Sequence, residues 1–376
     1  MIDFDKKVDR KNTNSYKWDK YPDGVLPLWV ADMDFEVAEP IKLALQKIVD
    51  HGVIGYSRTP DELIDVVVER LLKRHNWTIK KEWIVWLPGL VPGIYAASKC
   101  VSEDNCSVMT STPVYRPFLD AAKLSNRSLQ DIPFIWRNMR WEMDFESMER
   151  AVNKETKLYI LCNPHNPNGR VFSKEELMQL AEFCVKNEIF ICSDEIHCDL
   201  ILDENKEHVS IASLNPEIEN LSITLLAPSK TFNIAGLGCS FAIIPNAELR
   251  ARFEKEKFGM MPMLSSFAME SALAAYKYGE NWLHELIVYL RGNQNYLLEE
   301  INKIPGLKME PLEATYLAWI NYEQTGVKNL VEVLEINGVG VQDASIFGGE
   351  GFFRLNFATT RENLKIAIER IRLSLI

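Results

Sequence analysis

Three polar residues stand where apolar runs end: Asn166, Asp194 and Lys230, spaced 28 and then 36 residues apart. Lys230 follows residues 221–227 (LSITLLA), which read as a short buried strand closed by Pro228. A partly desolvated amine gives up its proton more easily, and a neutral amine can form a Schiff base. A lone lysine after a strand is more often a solvated surface residue, so its company matters. Residues 189–192 (IFIC) run into Ser193-Asp194-Glu195-Ile196-His197, a strand delivering two acids and an imidazole. Residues 158–162 (LYILC) run into Asn163-Pro164-His165-Asn166-Pro167-Asn168-Gly169. That string makes consecutive turns, and its prolines fix the direction of each amide. Three strands thus deliver polar groups at their C-terminal ends, the edge where open α/β sheets bind ligands.

The Asn, Asp and Lys in this order, with the wording Asp194-Glu195-Ile196-His197 and Ala227-Pro228-Ser229-Lys230-Thr231-Phe232-Asn233, resemble the pyridoxal-phosphate (PLP) aminotransferase class I/II family of fold type I. Within it the wording is similar to the cystathionine β-lyase-like, carbon–sulfur lyase branch. The likeness runs from Leu26-Pro27-Leu28-Trp29-Val30-Ala31-Asp32-Met33-Asp34 to Phe353-Arg354-Leu355-Asn356. It implies an enzyme with pyridoxal 5'-phosphate on Lys230, acting by α,β-elimination on a sulfur-containing amino acid to give thiol, pyruvate and ammonia. The alternative is an aminotransferase, which needs the same residues. A catalytically silent regulatory protein on the same fold is disfavoured by the intact set. A nicotinamide dehydrogenase is weaker still, because Gly236-Leu237-Gly238-Cys239-Ser240-Phe241 lacks the third glycine.

The resemblance assigns roles residue by residue. Lys230 and Tyr115 are the implied catalytic residues, Tyr115 also stacking on the cofactor ring. By chemistry alone Glu195 is as good an acid as Asp194; the family motif picks Asp194 for the pyridine nitrogen. His197 stands where related aminotransferases carry Tyr, and it would reach the phenolic oxygen; an imidazole can also titrate near neutrality. Of Asn163 and Asn166, the resemblance assigns Asn166 to that oxygen. Pro88-Gly89-Leu90-Val91-Pro92-Gly93 is the implied phosphate cradle: Leu90 and Val91 can donate backbone N–H groups at a helix start, Pro92 cannot. Some relatives carry an arginine eight residues after the lysine; Gly238 stands there, leaving Ser229 as the best nearby hydroxyl. Tyr56 would reach the phosphate of a neighbouring subunit, which implies a homodimer. Arg354, flanked by apolar strand residues, is the implied clamp for the substrate's α-carboxylate; the plain alternative is a structural ion pair.

The elements that must hold these groups are legible as strands alternating with amphipathic helices, the pattern of an α/β protein with a mainly parallel sheet. Thr59-Pro60-Asp61-Glu62 predicts a helix capped by Thr59, and Ser173-Lys174-Glu175-Glu176 a capping box. From about Asn281 the character changes. Residues 282–301 predict a long amphipathic helix, then strands over 315–320, 338–342 and 352–357, and a last helix over 361–375. The resemblance therefore implies a large PLP-binding domain (48–280) with a seven-stranded, mainly parallel sheet. It implies a smaller, discontinuous α+β domain (1–47 plus 281–376).

A chain of 376 residues is long enough for both. Its formal net charge of −11 disfavours nucleic acid, which needs basic stripes. Seven cysteines without a C-x-x-C pair, and an N-terminus without a leader pattern, read as reduced thiols in the cytoplasm. No apolar run nears the ~18 residues of a membrane span. His197, Cys198 and Cys192 fit no standard metal spacing, so no metal is expected.

Overall fold

The computed structural model describes residues 2–102, 105–137 and 139–376. Its main sheet contains, in chain order, β1 Ile84–Leu87, β2 Ser107–Thr110, β3 Ser128–Asp131, β4 Thr156–Cys162, β5 Phe190–Asp194, β6 Ser222–Leu226 and β7 Ser240–Ile243. The strands lie in the order β1-β7-β6-β5-β4-β2-β3, parallel except for β7, which runs antiparallel to both of its neighbours. Both faces of the sheet are covered, which is why β4 and β6 read as nearly unbroken apolar runs. Alternation still sorts their side chains. Leu158, Ile160 and Cys162 pack on one face, while Tyr159 and Leu161 pack on the other.

The helix Leu90–Cys100 lies close against this sheet. Gly93 makes the approach possible: a Cβ there would stand 2.9 Å from Leu87 Cδ1 and 3.2 Å from Leu225 Cδ2. The helix Lys174–Lys186 opens with the predicted capping box: Ser173 accepts from the Glu176 N–H and Glu176 accepts from the Ser173 N–H. The other predicted cap differs. The helix Asp61–His75 has Pro60 at its N-cap, extended at ψ 134°, and the Pro60 carbonyl accepts from Leu63. Thr59 therefore lies outside the helix and caps nothing; Asp61 and Glu62 supply the negative charge that the N-terminal turn favours.

A second sheet of antiparallel pairs follows the order Lys308–Met309, Leu317–Asn321, Phe352–Asn356, Gln342–Asp343. The helices Glu280–Ile301 and Arg361–Leu373 close as the pattern predicts. Residues 338–342 do not form one strand. Val339–Gly340 pairs with Leu26–Pro27, then the chain crosses over at buried Val341 and Gln342–Asp343 joins the second sheet. N-terminal Phe4, Leu28, Met33 and Phe35 share one core with Leu286, Leu317, Phe353 and Ile368. All seven cysteines are buried and unpaired. Among the described residues no helix is long and apolar enough to cross a membrane.

Candidate active site

Cys162, Asp194 and Leu225 stand level across three neighbouring parallel strands. The loops that leave β4, β5 and β6 therefore emerge side by side, ~4.8 Å apart. The Asn163 N–H donates to the Asp194 carbonyl and the Glu195 N–H to the Leu225 carbonyl, which extends the ladder one step into the loops.

Asp194 is buried, and its carboxylate accepts from the Ile196 N–H at 3.1 Å. Burial pushes its pKa up to about 7, with the Glu195 charge adding to the rise. Glu195 is differently placed. It accepts from Ser193 and Ser210 at 2.9 Å each and pairs with His208 at 2.8 Å. Its oxygens are engaged within the protein, whereas Asp194 has no cation within ion-pair distance among the described residues. The tertiary contacts thus separate two acids that chemistry alone left equal.

Lys230 sits in a turn pinned by Phe232 N–H to the Pro228 carbonyl and Ile234 N–H to the Ser229 carbonyl. Ser229, just before it, is half-buried. The Lys230 ammonium donates to the Ala31 carbonyl at 2.6 Å. Burial pulls its pKa down to about 8; Asp32 opposes the fall, Arg354 adds to it and Asp194 opposes it. Behind the turn, Thr231 donates to Asp199, which Arg70 and Arg74 also hold.

Arg354 is 5% exposed, yet no carboxylate lies within ion-pair distance of it among the described residues. Its guanidinium donates to Asn166 Oδ1 and to the Trp29 carbonyl, each at 2.9 Å, and lies 4.7 Å over the Phe347 ring. Its Nε has no hydrogen-bond partner among the described residues. Burial drops its pKa to about 10, with the Tyr115 and Tyr316 phenols opposing the fall. The structural ion pair that offered the plain alternative is not found among the described residues. Asn163 faces away from this group, accepting from the Phe172 N–H and donating to the Val209 carbonyl.

His197 is buried, and its Nδ1 has no hydrogen-bond partner among the described residues. Burial, then Lys230 and Arg354, lower its pKa to about 3. Exclusion of water, with the two neighbouring cations adding to it, favours the neutral imidazole and moves it away from the near-neutral titration an imidazole can show. Half-buried Tyr115 stands at the N-cap of helix Arg116–Leu124, its phenol pKa raised by burial and by Asp194. Leu90 and Val91 are the first two residues of the Leu90–Cys100 helix, where backbone N–H groups have no intrahelical partner. Gly238 adopts a left-handed φ of +63°, and a Cβ there would meet the Pro88 carbonyl at 3.0 Å. An arginine at that position would be strained. Tyr56 is 99% exposed and does not join the group within one chain.

Sequence reasoning passed over several residues that complete the pocket. Ala31 holds the Lys230 amine, and Asn356 donates to the Val30 and Asp32 carbonyls. Asn233 clamps the same segment, accepting from the Met33 N–H and donating to the Met33 and Phe35 carbonyls. Buried Tyr316 lies edge-on to His197. Three of the four sit inside the quoted motif strings; Tyr316 carried no such signal. His75, Cys198 and Asp199 bring possible ligand atoms within 4.8 Å of one another. Asp199, however, is already held by two arginines and Thr231.

These residues suit pyridoxal phosphate. A buried carboxylate lacking a cation answers a protonated pyridine nitrogen, and a lysine near pKa 8 answers an aldehyde. His197 and the helix N-terminus offer polar groups without protein partners.

A family model described as aminotransferase class I and II matches residues 24–371. Cystathionine beta-lyase PatB of Bacillus subtilis (strain 168) is 36% identical over 387 aligned residues, with 100% of each chain covered. The crystal structure of OvoB superposes with TM-score 0.97 at 42% identity, covering 100% of this chain and 99% of that one. Cystalysin from Treponema denticola, solved with a pyridoxal 5'-phosphate cofactor, superposes with TM-score 0.95 at 33% identity, covering 100% and 99%.

Proposed function

The chain belongs to the aminotransferase class I and II family, and from that premise we propose a pyridoxal-phosphate-dependent carbon–sulfur β-lyase. It cleaves a sulfur-bearing amino acid such as cystathionine to thiol, pyruvate and ammonia. The observation that carries the reading is a pair of buried ionisable groups on one pocket, Arg354 with no carboxylate and Asp194 with no cation within ion-pair distance among the described residues. Buried charges need partners, and an amino-acid carboxylate and a pyridine N–H supply them. Full-length likeness to proteins named cystathionine beta-lyase and cystalysin supports elimination as the reaction.

When bound, pyridoxal phosphate supplies an electron sink for the pair left as the Cα–H bond breaks. Lys230 anchors the cofactor and, once displaced by the substrate amine, takes the Cα proton at Nζ. Asp194 keeps the ring nitrogen protonated. Asn166 and His197 would offer polar groups to the cofactor's phenolic oxygen, and Tyr115 would cover its ring. Leu90, Val91 and Ser229 receive the phosphate. Arg354 grips the α-carboxylate, which fixes the direction of the Cα–H bond. The Cβ–S bond breaks next, and the sulfur leaves as a thiolate that takes up a proton; the released aminoacrylate tautomerises to an imine, and water breaks its C–N bond to give pyruvate and ammonia. The pocket is completed by Tyr56 of a second copy, in a homodimer of two-domain chains divided at 1–47 plus 281–376 and 48–280. We place the enzyme in the cytoplasm, where its thiols stay reduced.

The test is a parallel assay of the holoenzyme on L-cystathionine, with and without 2-oxoglutarate. Pyruvate and thiol are expected equally in both arms. Product that appears only with the keto acid, matched by amino-group transfer, would make the chain an aminotransferase.

A further inference from the structure

Segment 29–35 runs past the Lys230 amine, which donates to its Ala31 carbonyl. Arg354, Asn356 and Asn233 hold the same segment from the pocket side. A further set of bonds comes from residues 10–18, which form turns and no helix or strand. Asn12 and Asn14 take left-handed φ values of 57° and 59°, which asparagine tolerates. Asp19 stitches the turns together by accepting from the Asn12 and Ser15 N–H groups.

Two cations of these turns close on two acids of the segment. Arg10 donates to Asp32 Oδ2 at 2.7 Å, to Asp34 Oδ1 at 3.0 Å and to the Met33 carbonyl at 2.9 Å. Lys17 is fully buried, and its ammonium donates to Asp34 Oδ2 and to the Asp32 carbonyl, each at 2.9 Å. Trp18 donates to Asp34 at 2.7 Å, and Trp29 donates back to the Lys17 carbonyl at 3.2 Å. A lysine is sealed from water only when paired, and desolvation offsets most of the attraction within a buried ion pair. Stability alone accounts poorly for such a cluster. Its place in the chain is the informative part: Asp32 directly follows Ala31, whose carbonyl holds the Lys230 ammonium.

We propose that residues 10–18 are a strap that positions the catalytic amine: Arg10 and Lys17 are positioning residues for Lys230, acting through Asp32 and the Ala31 carbonyl. The role of the strap rests on Lys230 being the lysine that takes the cofactor. The charged groups around that amine are Asp32 on the strapped segment, Asp194 at the end of β5 and Arg354 on the second sheet. The His197 imidazole feels the same amine, with the Tyr316 ring edge-on to it. Of the two acids, Asp32 gives the larger support to the ammonium form. Arg10 shares that carboxylate, and with Lys17 it holds the segment closed against water.

Capture of pyridoxal phosphate by the cofactor-free chain tests it. The rate at which the visible band appears is followed against pH, and borohydride reduction fixes the lysine that carries it. The parent should show a midpoint at about 8. Arg10→Met and Lys17→Met each remove a cation and let water reach the amine, so their midpoints should rise by roughly half a pH unit or more. Asp32→Asn removes the charge that favours the ammonium, so its midpoint should fall by roughly as much. Arg10 keeps Asp34 in that variant, so Asp32→Asn leaves no buried charge unpaired and serves should the cation variants not fold. Midpoints unmoved from the parent, or shifted with the opposite signs, would overturn the strap's role and leave it a structural turn. A parent that captures no cofactor, or captures it on another lysine, would instead overturn the reading of Lys230, and the strap's role with it.

Discussion

Burial moves the pKa of Asp194 up and that of Lys230 down, and both shifts make predictions. Asp194 titrates at about 7 in the folded chain but at ~3.9 unfolded. Between those values the folded state keeps a proton that the unfolded state has released, so stability of the cofactor-free chain falls as pH rises from about 4 to about 7. Asp194→Asn removes that loss. At pH 8 the cofactor-free variant should be more stable than the parent, by at most about 4 kcal/mol, while elimination activity falls by orders of magnitude. Denaturant melts of both proteins at pH 5 and pH 8 check the sign. Lys230, at about 8, should capture pyridoxal phosphate at a rate that climbs roughly tenfold per pH unit below that value and levels above it. Following the visible band during reconstitution measures this; a midpoint above 10 would show that the amine is not desolvated.

At the scale of elements, the closeness of the Leu90–Cys100 helix to the sheet decides where Leu90 and Val91 present their N–H groups. Gly93 faces Leu87 and Leu225 with no room for a larger residue. Gly93→Val should push the helix off the sheet, at a cost of about 1–3 kcal/mol from overpacking. Its distinguishing signature is weaker cofactor retention, read by dialysis against phosphate buffer. Ser173→Ala, which removes a capping box far from the cofactor, should cost about 1 kcal/mol and leave retention unchanged. Equal retention in the two variants would argue that the helix N-terminus does not hold the phosphate.

For the whole molecule, the telling feature is what one chain leaves in water. Tyr56 is 99% exposed and Val53 72%, beside a groove of about 750 Å³ lined in part by Leu43, Ile48 and Leu273. Apolar surface of this kind, with a tyrosine at its centre, suits burial against a second copy. Sedimentation should give a dimer. Tyr56→Phe should leave the dimer intact while loosening the cofactor about fivefold, the worth of one hydrogen bond. A monomer with full activity would remove both the interface and the shared pocket.

The strand ends that carry Asn166, Asp194 and Lys230 were legible in the chain because spacing and apolar runs are local properties. The α/β alternation, the Ser173 capping box and the closing helices were legible for the same reason. Partnering is not local. Whether Asp194 or Glu195 is free depends on Ser210 and His208, which fold back onto Glu195. What Arg354 hydrogen-bonds depends on Asn166, 188 residues away. Burial first, then Lys230 and Arg354 brought in from distant segments, lower the pKa of His197, and the extended backbone at Pro60 makes that residue the N-cap in place of Thr59. Residue type and order determined which groups are available for chemistry. Only the tertiary structure decided which of them are buried without a partner, because desolvation and ion pairing arise between segments that meet only when the chain closes.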